Sequence, residues 1–159
     1  MIRKIIISFF IFLTFLSCEK PVPVFDSQRA FLDLVAQCDF GPRNPGSEGH
    51  RKTKKYILDL MHKEADSVIA QDFSFESALE KKIHNGTNII ARFNPSNATQ
   101  VLIGAHWDTR PFADRDKNRK NLKTPILGAN DGASGVAIPV SYTHLRAHET
   151  KANLVCRLL

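Results

Sequence analysis

Val101-Leu102-Ile103-Gly104-Ala105-His106-Trp107-Asp108 is the stretch on which the reading of this chain turns. Five small or apolar residues in a row, without alternation, predict a short central strand buried on both faces of an α/β sheet. Residues with metal-binding chemistry follow at once. In open α/β sheets ligands gather beyond the carboxyl ends of such strands, so His106 and Asp108 fall where chemistry is expected. A histidine that binds a metal through one ring nitrogen needs the other held, often by a carboxylate. Asp108, two residues on, has the reach for that. Taken alone, His-x-Asp is a weak signal, because a histidine at a strand end is more often a hydrogen-bonded structural residue.

Downstream, Arg110 to Lys123 reads as a long polar loop. It leads to Gly128-Ala129-Asn130-Asp131-Gly132-Ala133-Ser134-Gly135. Small residues around Asp131 let the backbone turn tightly and leave room for an ion, and zinc accepts both imidazole nitrogen and carboxylate oxygen. Upstream, Val68 to Phe75 and Thr87 to Phe93 read as strands, with Asn85-Gly86 as a turn signal. Ser47 is placed to cap a helix reaching His62, whose apolar stripe is Tyr56, Ile57, Leu60 and Met61. Gly41 to Gly46 is a loop. Phe31, Leu34, Val35 and Cys38 mark one face of a helix from about Ser27 to Gln37 and make Cys38 a small apolar residue. Helices alternating with strands predict an α/β domain.

The chain opens with Met1-Ile2-Arg3-Lys4, then an apolar run from Ile5 to Leu16 broken only by Ser8 and Thr14. That run is too short for a membrane-spanning helix, which needs ~20 residues. Charge, apolar core and small residues in that order describe a secretory signal. Phe15-Leu16-Ser17-Cys18 resembles a bacterial lipobox. The resemblance implies cleavage before Cys18, lipidation of its thiol and attachment to a membrane. The alternative is a plain signal, or an uncleaved anchor, with a chance cysteine. Residues 1–17 are thus expected to be a signal peptide and 18–26 a tether, with the protein exported to the periplasm or outer membrane. The three cysteines, Cys18, Cys38 and Cys156, form no disulfide framework or zinc-ribbon spacing. The formal net charge of +6 shrinks when the leader and the last twenty residues are set aside, leaving 17 basic and 15 acidic residues. No basic stripe remains, so nucleic acid is not an expected partner.

Several of these motifs occur together in a particular order. Gly41-Pro42-Arg43 with Pro45-Gly46-Ser47 comes first, then Thr87-Asn88-Ile89-Ile90-Ala91, then Gly104 to Arg110, then Asn130 to Gly135. Over about Phe40 to Ile138 the chain resembles the M28 zinc-peptidase superfamily, and Ala105 to Asp114 is most similar to its bacterial glutaminyl cyclase branch. The resemblance implies a three-layer α/β/α domain with a mixed, mostly parallel sheet, of which residues 27–139 are the N-terminal part. It implies zinc as cofactor and peptide or protein N-termini as substrates. The implied reaction turns N-terminal glutamine into pyroglutamate with release of ammonia. Asp131 corresponds to a zinc-binding aspartate. His106 corresponds to a ligand only in the two-metal aminopeptidases. Asp108 corresponds to a carboxylate behind the histidine, and Trp107 stands where it either lines the substrate pocket or packs in the core. Arg43 reads as a residue that ties loops together. The acidic pair that carries the proton chemistry is expected downstream, and no catalytic residue is found within this chain. Two other readings follow from the same residues: a two-zinc aminopeptidase, and a non-catalytic envelope lipoprotein that keeps the fold.

From Val140 the sequence changes character. Val-Ser-Tyr-Thr-His-Leu-Arg-Ala-His-Glu-Thr back-translates to a transposon-type sequencing adapter, and 140–159 is read as that translation rather than native protein. On this reading the helix after Asp131 meets Pro139 and a polar string where apolar periodicity should continue, the strands expected beyond residue 139 are absent and leave a sheet edge exposed, and the pair His144 and His148 is not a metal site. With only Asp131 and His106 to offer, the chain by itself is expected to be poorly folded and inactive.

Overall fold

The computed structural model describes residues 24–96, 100–146 and 154–158. Cys18 and the leader lie outside the described residues. Helix α1 spans Ser27–Asp39 and is capped by Asp26, whose carboxylate accepts from the Arg29 amide at 2.9 Å. Its buried face is Ala30, Asp33 and Gln37, and Phe31 is exposed. The predicted stripe is therefore turned by one position. Polar anchors set the turn: the Tyr56 hydroxyl donates to Asp33 at 2.6 Å, and the Gln37 amide donates to the Ala133 carbonyl at 3.2 Å. Helix α2, Glu48–Glu64, begins at Ser47, which accepts from the His50 amide at 3.1 Å. It buries Ile57, Leu60 and Met61 as its periodicity predicts.

Strands β1, Ser67–Glu76, and β2, Ile83–Arg92, form an antiparallel hairpin in register from Ser67 opposite Arg92 to Glu76 opposite Ile83. Asn85-Gly86, expected as the turn, lies inside β2 instead. Gly86 sits opposite Phe73, and a Cβ there would stand 2.5 Å from the ring. Glycine is present to let the aromatic ring lie across the strand, and the chain reverses at 77–82.

Strand β3 is Val101–Ala105, helix α3 is Ser134–Arg146, and strand β4 is Leu154–Leu158. The sheet order is β1-β2-β4-β3, with β4 antiparallel to β2 and parallel to β3. The sheet is mixed, as expected, but of the three described pairings only β3 with β4 is parallel, so this part is not mostly parallel. Two further expectations fail. Among the described strands β3 is an edge, with Val101 and Leu102 exposed by 53% and 65%, not a centre buried on both faces. Apolar content alone does not distinguish a strand covered within this chain from one left open. The tail also takes up structure: α3 runs through Pro139 to Arg146, and β4 fills the place next to β3. A proline inside a helix costs about 3 kcal/mol. Burial of Val136 and Val140, each contributing about 2 kcal/mol, offsets it. The Ser141 hydroxyl donates to the Asp26 carbonyl at 3.0 Å, joining α3 to the start of α1. One core unites Ile57, Leu60 and Met61 of α2, Ile89 and Ala91 of β2, Phe93, Trp107, and Val136 and Val140 of α3.

Candidate metal centre

His106 follows the last residue of β3, and Asp131 projects from the turn that leads into α3. The two meet: His106 Nε2 lies 2.8 Å from Asp131 Oδ1. On the other side of the ring, Nδ1 lies 3.3 Å from Asp108 Oδ1 and 3.2 Å from the Asp108 carbonyl. All three side chains keep substantial contact with solvent.

This arrangement has a chemical consequence. If Nδ1 carries the proton and donates it to Asp108, the Nε2 lone pair faces a carboxylate oxygen. Two electron-rich atoms at that distance call for a proton between them, or must move apart around a metal ion. Imidazole nitrogen with carboxylate oxygen is a donor set that zinc accepts, and a carboxylate behind the ring is the usual way to fix the tautomer. The donor types fit zinc: Asp131 would hold it, with His106 as a further ligand only where two metals bind. That is at most two ligands, and among the described residues no group of three His, Cys, Asp or Glu side chains is placed to hold a metal ion.

Backbone geometry explains the small residues. Gly128 and Gly132 have φ of 65° and 101°, in the region that favours glycine. A Cβ on Gly132 would stand 3.0 Å from the Asp108 carbonyl oxygen and 3.3 Å from the His106 ring. A Cβ on Gly128 would stand 2.4 Å from the Thr109 methyl. The Asp131 turn can approach the His106–Asp108 shelf only because both positions lack side chains.

Beneath the shelf lies Arg43, fully buried. Its Nε donates to the Trp107 carbonyl at 3.0 Å, Nη1 to Leu127 at 2.9 Å and Nη2 to Gly128 at 2.7 Å. Its backbone amide donates to Thr109 Oγ1 at 2.8 Å. Burial lowers the guanidinium below its ordinary range, while Cys38, Asp108 and Asp131 act to raise it.

Trp107 points away from this cradle into the core. It is 1% exposed, and its indole donates to the Thr87 carbonyl at 3.1 Å. One edge still borders a cavity of about 250 Å³ that Pro45, His50, Phe73, Phe75 and Asp108 help to wall. His50, not foreseen from the sequence, stacks on the indole with ring centroids 4.3 Å apart. Burial lowers its pKa, with Asp108 opposing and Lys54 and Arg51 assisting, which favours the neutral ring. The stripe of α2 carried backward from Ile57 through Thr53 reaches position 50, and that signal was available.

A mixed α/β sheet with a His–Asp pair beyond a strand end and a glycine-lined aspartate turn defines an α/β scaffold with a candidate metal-binding corner. Residues 88–155 match the family model Peptidase family M28. An Escherichia coli (strain K12) relative, uncharacterized protein YfbL, is 29% identical over 85% of this chain and 43% of its own. Among solved structures, a leucine aminopeptidase precursor and a glutaminyl cyclase bound to N-acetylhistamine, both from Bacteroides thetaiotaomicron, each superpose with a TM-score of 0.82 at 34% identity. Both matches cover 87% of this chain and 48% of the solved one. A Zn-dependent exopeptidase from Parabacteroides distasonis gives 0.82 at 28%, over 87% and 47%. The family-model match and the solved structures alike point to the M28 superfamily, whose fold this chain shares. The chain spans about half the length of the proteins it matches.

Proposed function

We propose that the protein carrying this chain is a zinc-dependent glutaminyl-peptide cyclotransferase of the bacterial envelope. It acts on peptide or protein N-termini and is held to the membrane through Cys18. The observation that carries the reading is the His106–Asp131 pair, backed by Asp108, in a chain 34% identical to a glutaminyl cyclase. Zinc, when bound, supplies Lewis-acid polarisation of the substrate γ-carbonyl. This chain's own part is to present Asp131 as ligand and to hold His106 beside it in one orientation through Asp108. In the reaction the α-amine nitrogen bonds to the γ-carbonyl carbon, the C–N bond of the amide breaks, and the amine's proton leaves with the amide nitrogen as ammonia. An acid–base residue outside those described here moves that proton.

A second reading has its own support. His106 Nε2 faces Asp131 directly, as a second metal ligand would, and the leucine aminopeptidase precursor is as similar as the cyclase. The test is incubation of the purified zinc-loaded protein with a peptide bearing N-terminal glutamine. Cyclisation is read as ammonia release with the peptide chain intact, at one zinc per chain. Free amino acid and two zinc ions would establish the aminopeptidase instead. A protein that binds zinc and does neither would leave the non-catalytic lipoprotein.

A further inference from the structure

We infer that Arg43 is a positioning residue for the metal cradle: its planar fork sets the spacing between the His106–Asp108 shelf and the Asp131 turn, and so sets metal affinity. The inference rests on the zinc reading above. Trp107, whose carbonyl takes the Nε bond, stands between His106 and Asp108 in the chain. Gly128, whose carbonyl takes the Nη2 bond, stands three residues before Asp131. One rigid group therefore touches both halves of the cradle at their backbones. Its main chain is fastened to the shelf as well, through Thr109 Oγ1 at 2.8 Å and by the Thr109 amide donating to the Arg43 carbonyl at 3.3 Å.

Stability alone is a poor explanation for this choice of residue. Burying a guanidinium is costly, and apolar replacements of buried charges are often as stable. Among the described residues Arg43 makes no carboxylate ion pair. Its side chain meets the Cys38 thiol and donates to carbonyls of three segments that must be kept in register: Gln37, Trp107, and Leu127 with Gly128. Arginine offers divergent, coplanar donors, whereas lysine concentrates its donors at one point. The spacing also matters chemically. His106 Nε2 and Asp131 Oδ1 are 2.8 Å apart, so the room left for an ion at Asp131 is set by how far the His106 ring stands from it. Where His106 also binds, the two must part by about half an ångström to share a tetrahedral zinc at ~2.0–2.2 Å each, and the fork limits that opening.

The test is Arg43→Lys in the protein carrying this chain, with two readouts. Zinc affinity of the folded protein, by chelator competition, is expected to fall roughly 10–100-fold, the range for groups that orient ligands. The visible bands of the cobalt-substituted form should shift with it. Amide hydrogen exchange at 106–109 and 127–132 should quicken in the metal-free protein. Unchanged affinity and unchanged exchange in folded Arg43→Lys would overturn the inference. If that variant does not fold, Thr109→Val decides, since it removes one hydroxyl from the same link: a smaller loss in the same direction supports the inference, and no change refutes it. Should the unaltered protein bind no zinc, the functional reading fails while the exchange measurement still decides whether Arg43 couples the two segments.

Discussion

The shelf around Arg43 and the outer strands of the sheet handle burial in opposite ways. At the shelf, polar groups go inside and meet partners: Arg43 four carbonyls, Thr109 the Arg43 amide, the Trp107 indole the Thr87 carbonyl. On the outer strands, apolar groups stay outside: Val101 and Leu102 on β3, Phe73 and Ile83 on the hairpin. The shelf is held by directional bonds between segments that this chain contains. Apolar burial on the strands needs surface from elsewhere, and the chain spans about half the length of its solved relatives. The backbone around the candidate ligands can therefore be fixed where the surrounding core is open.

Removing the ligand is the harshest way to break this picture. Asp131→Ala should abolish zinc retention on dialysis and lower kcat/KM by about 10³-fold or more, since metal catalysis contributes several kcal/mol to the reaction. Metal content by elemental analysis together with the cyclisation rate reads it out. Retained zinc in the variant would move the ligand role away from Asp131.

A pair of glycines sharpens the contrast between the two regions. At Gly132, φ is 101° and the nearest obstacle is the backbone carbonyl of Asp108. Gly132→Ala should destabilise by about 3 kcal/mol, combining left-handed strain with overlap that cannot relax. Gly86 has a closer obstacle, at 2.5 Å, but it is the Phe73 ring, which is 43% exposed and free to swing outward. Gly86→Ala should cost less than about 1 kcal/mol by the same reasoning. Urea midpoints rank the two, and equal losses would mean that the shelf is no more rigid than the hairpin.

What could be read in advance divides along the same line. Helix α2 was legible because its cap at Ser47 and its stripe at Ile57, Leu60 and Met61 are local. His106, Asp108 and Asp131 were a weak signal from strand end and glycine turn alone, and only the ordered motifs of the family resemblance grouped them; the structure brings the three side chains together. Three features were not legible. The face of α1 is set by Asp33 and Gln37, whose partners Tyr56 and Ala133 lie far along the chain. Gly86 signals a turn in isolation, and only the pairing with Phe73 shows that it belongs to a strand. The openness of β3 depends on what lies beside it, which an apolar run does not record.

Asp108→Asn tests the support behind the ligand. The amide keeps the size but cannot accept from imidazole as a charged carboxylate does, and it can turn its NH₂ toward Nδ1. Zinc affinity should fall roughly 10–100-fold with little change in folding stability. An unchanged affinity would mean that the His106 tautomer is fixed by the Asp108 carbonyl, 3.2 Å away, rather than by its side chain.

The smallest effect is also the one most specific to the shelf. His50 is 7% exposed and stacks on Trp107, and burial holds its pKa below the ordinary histidine value despite Asp108 nearby. A folded pKa below the unfolded one means that the unfolded chain takes up the proton first as pH falls. The stability due to neutral His50 is therefore fully present above about pH 6.5 and is lost as pH drops toward the folded value. The slope from one such group is at most about 1.4 kcal/mol per pH unit. His50→Phe keeps an aromatic ring against the indole and has no proton to gain. Urea midpoints between pH 7.5 and 5.5 should fall less steeply in the variant than in the parent, with the two closest at the upper end. Parallel slopes would show that the proton taken up on unfolding goes elsewhere, and that His50 packs on the shelf without coupling it to pH.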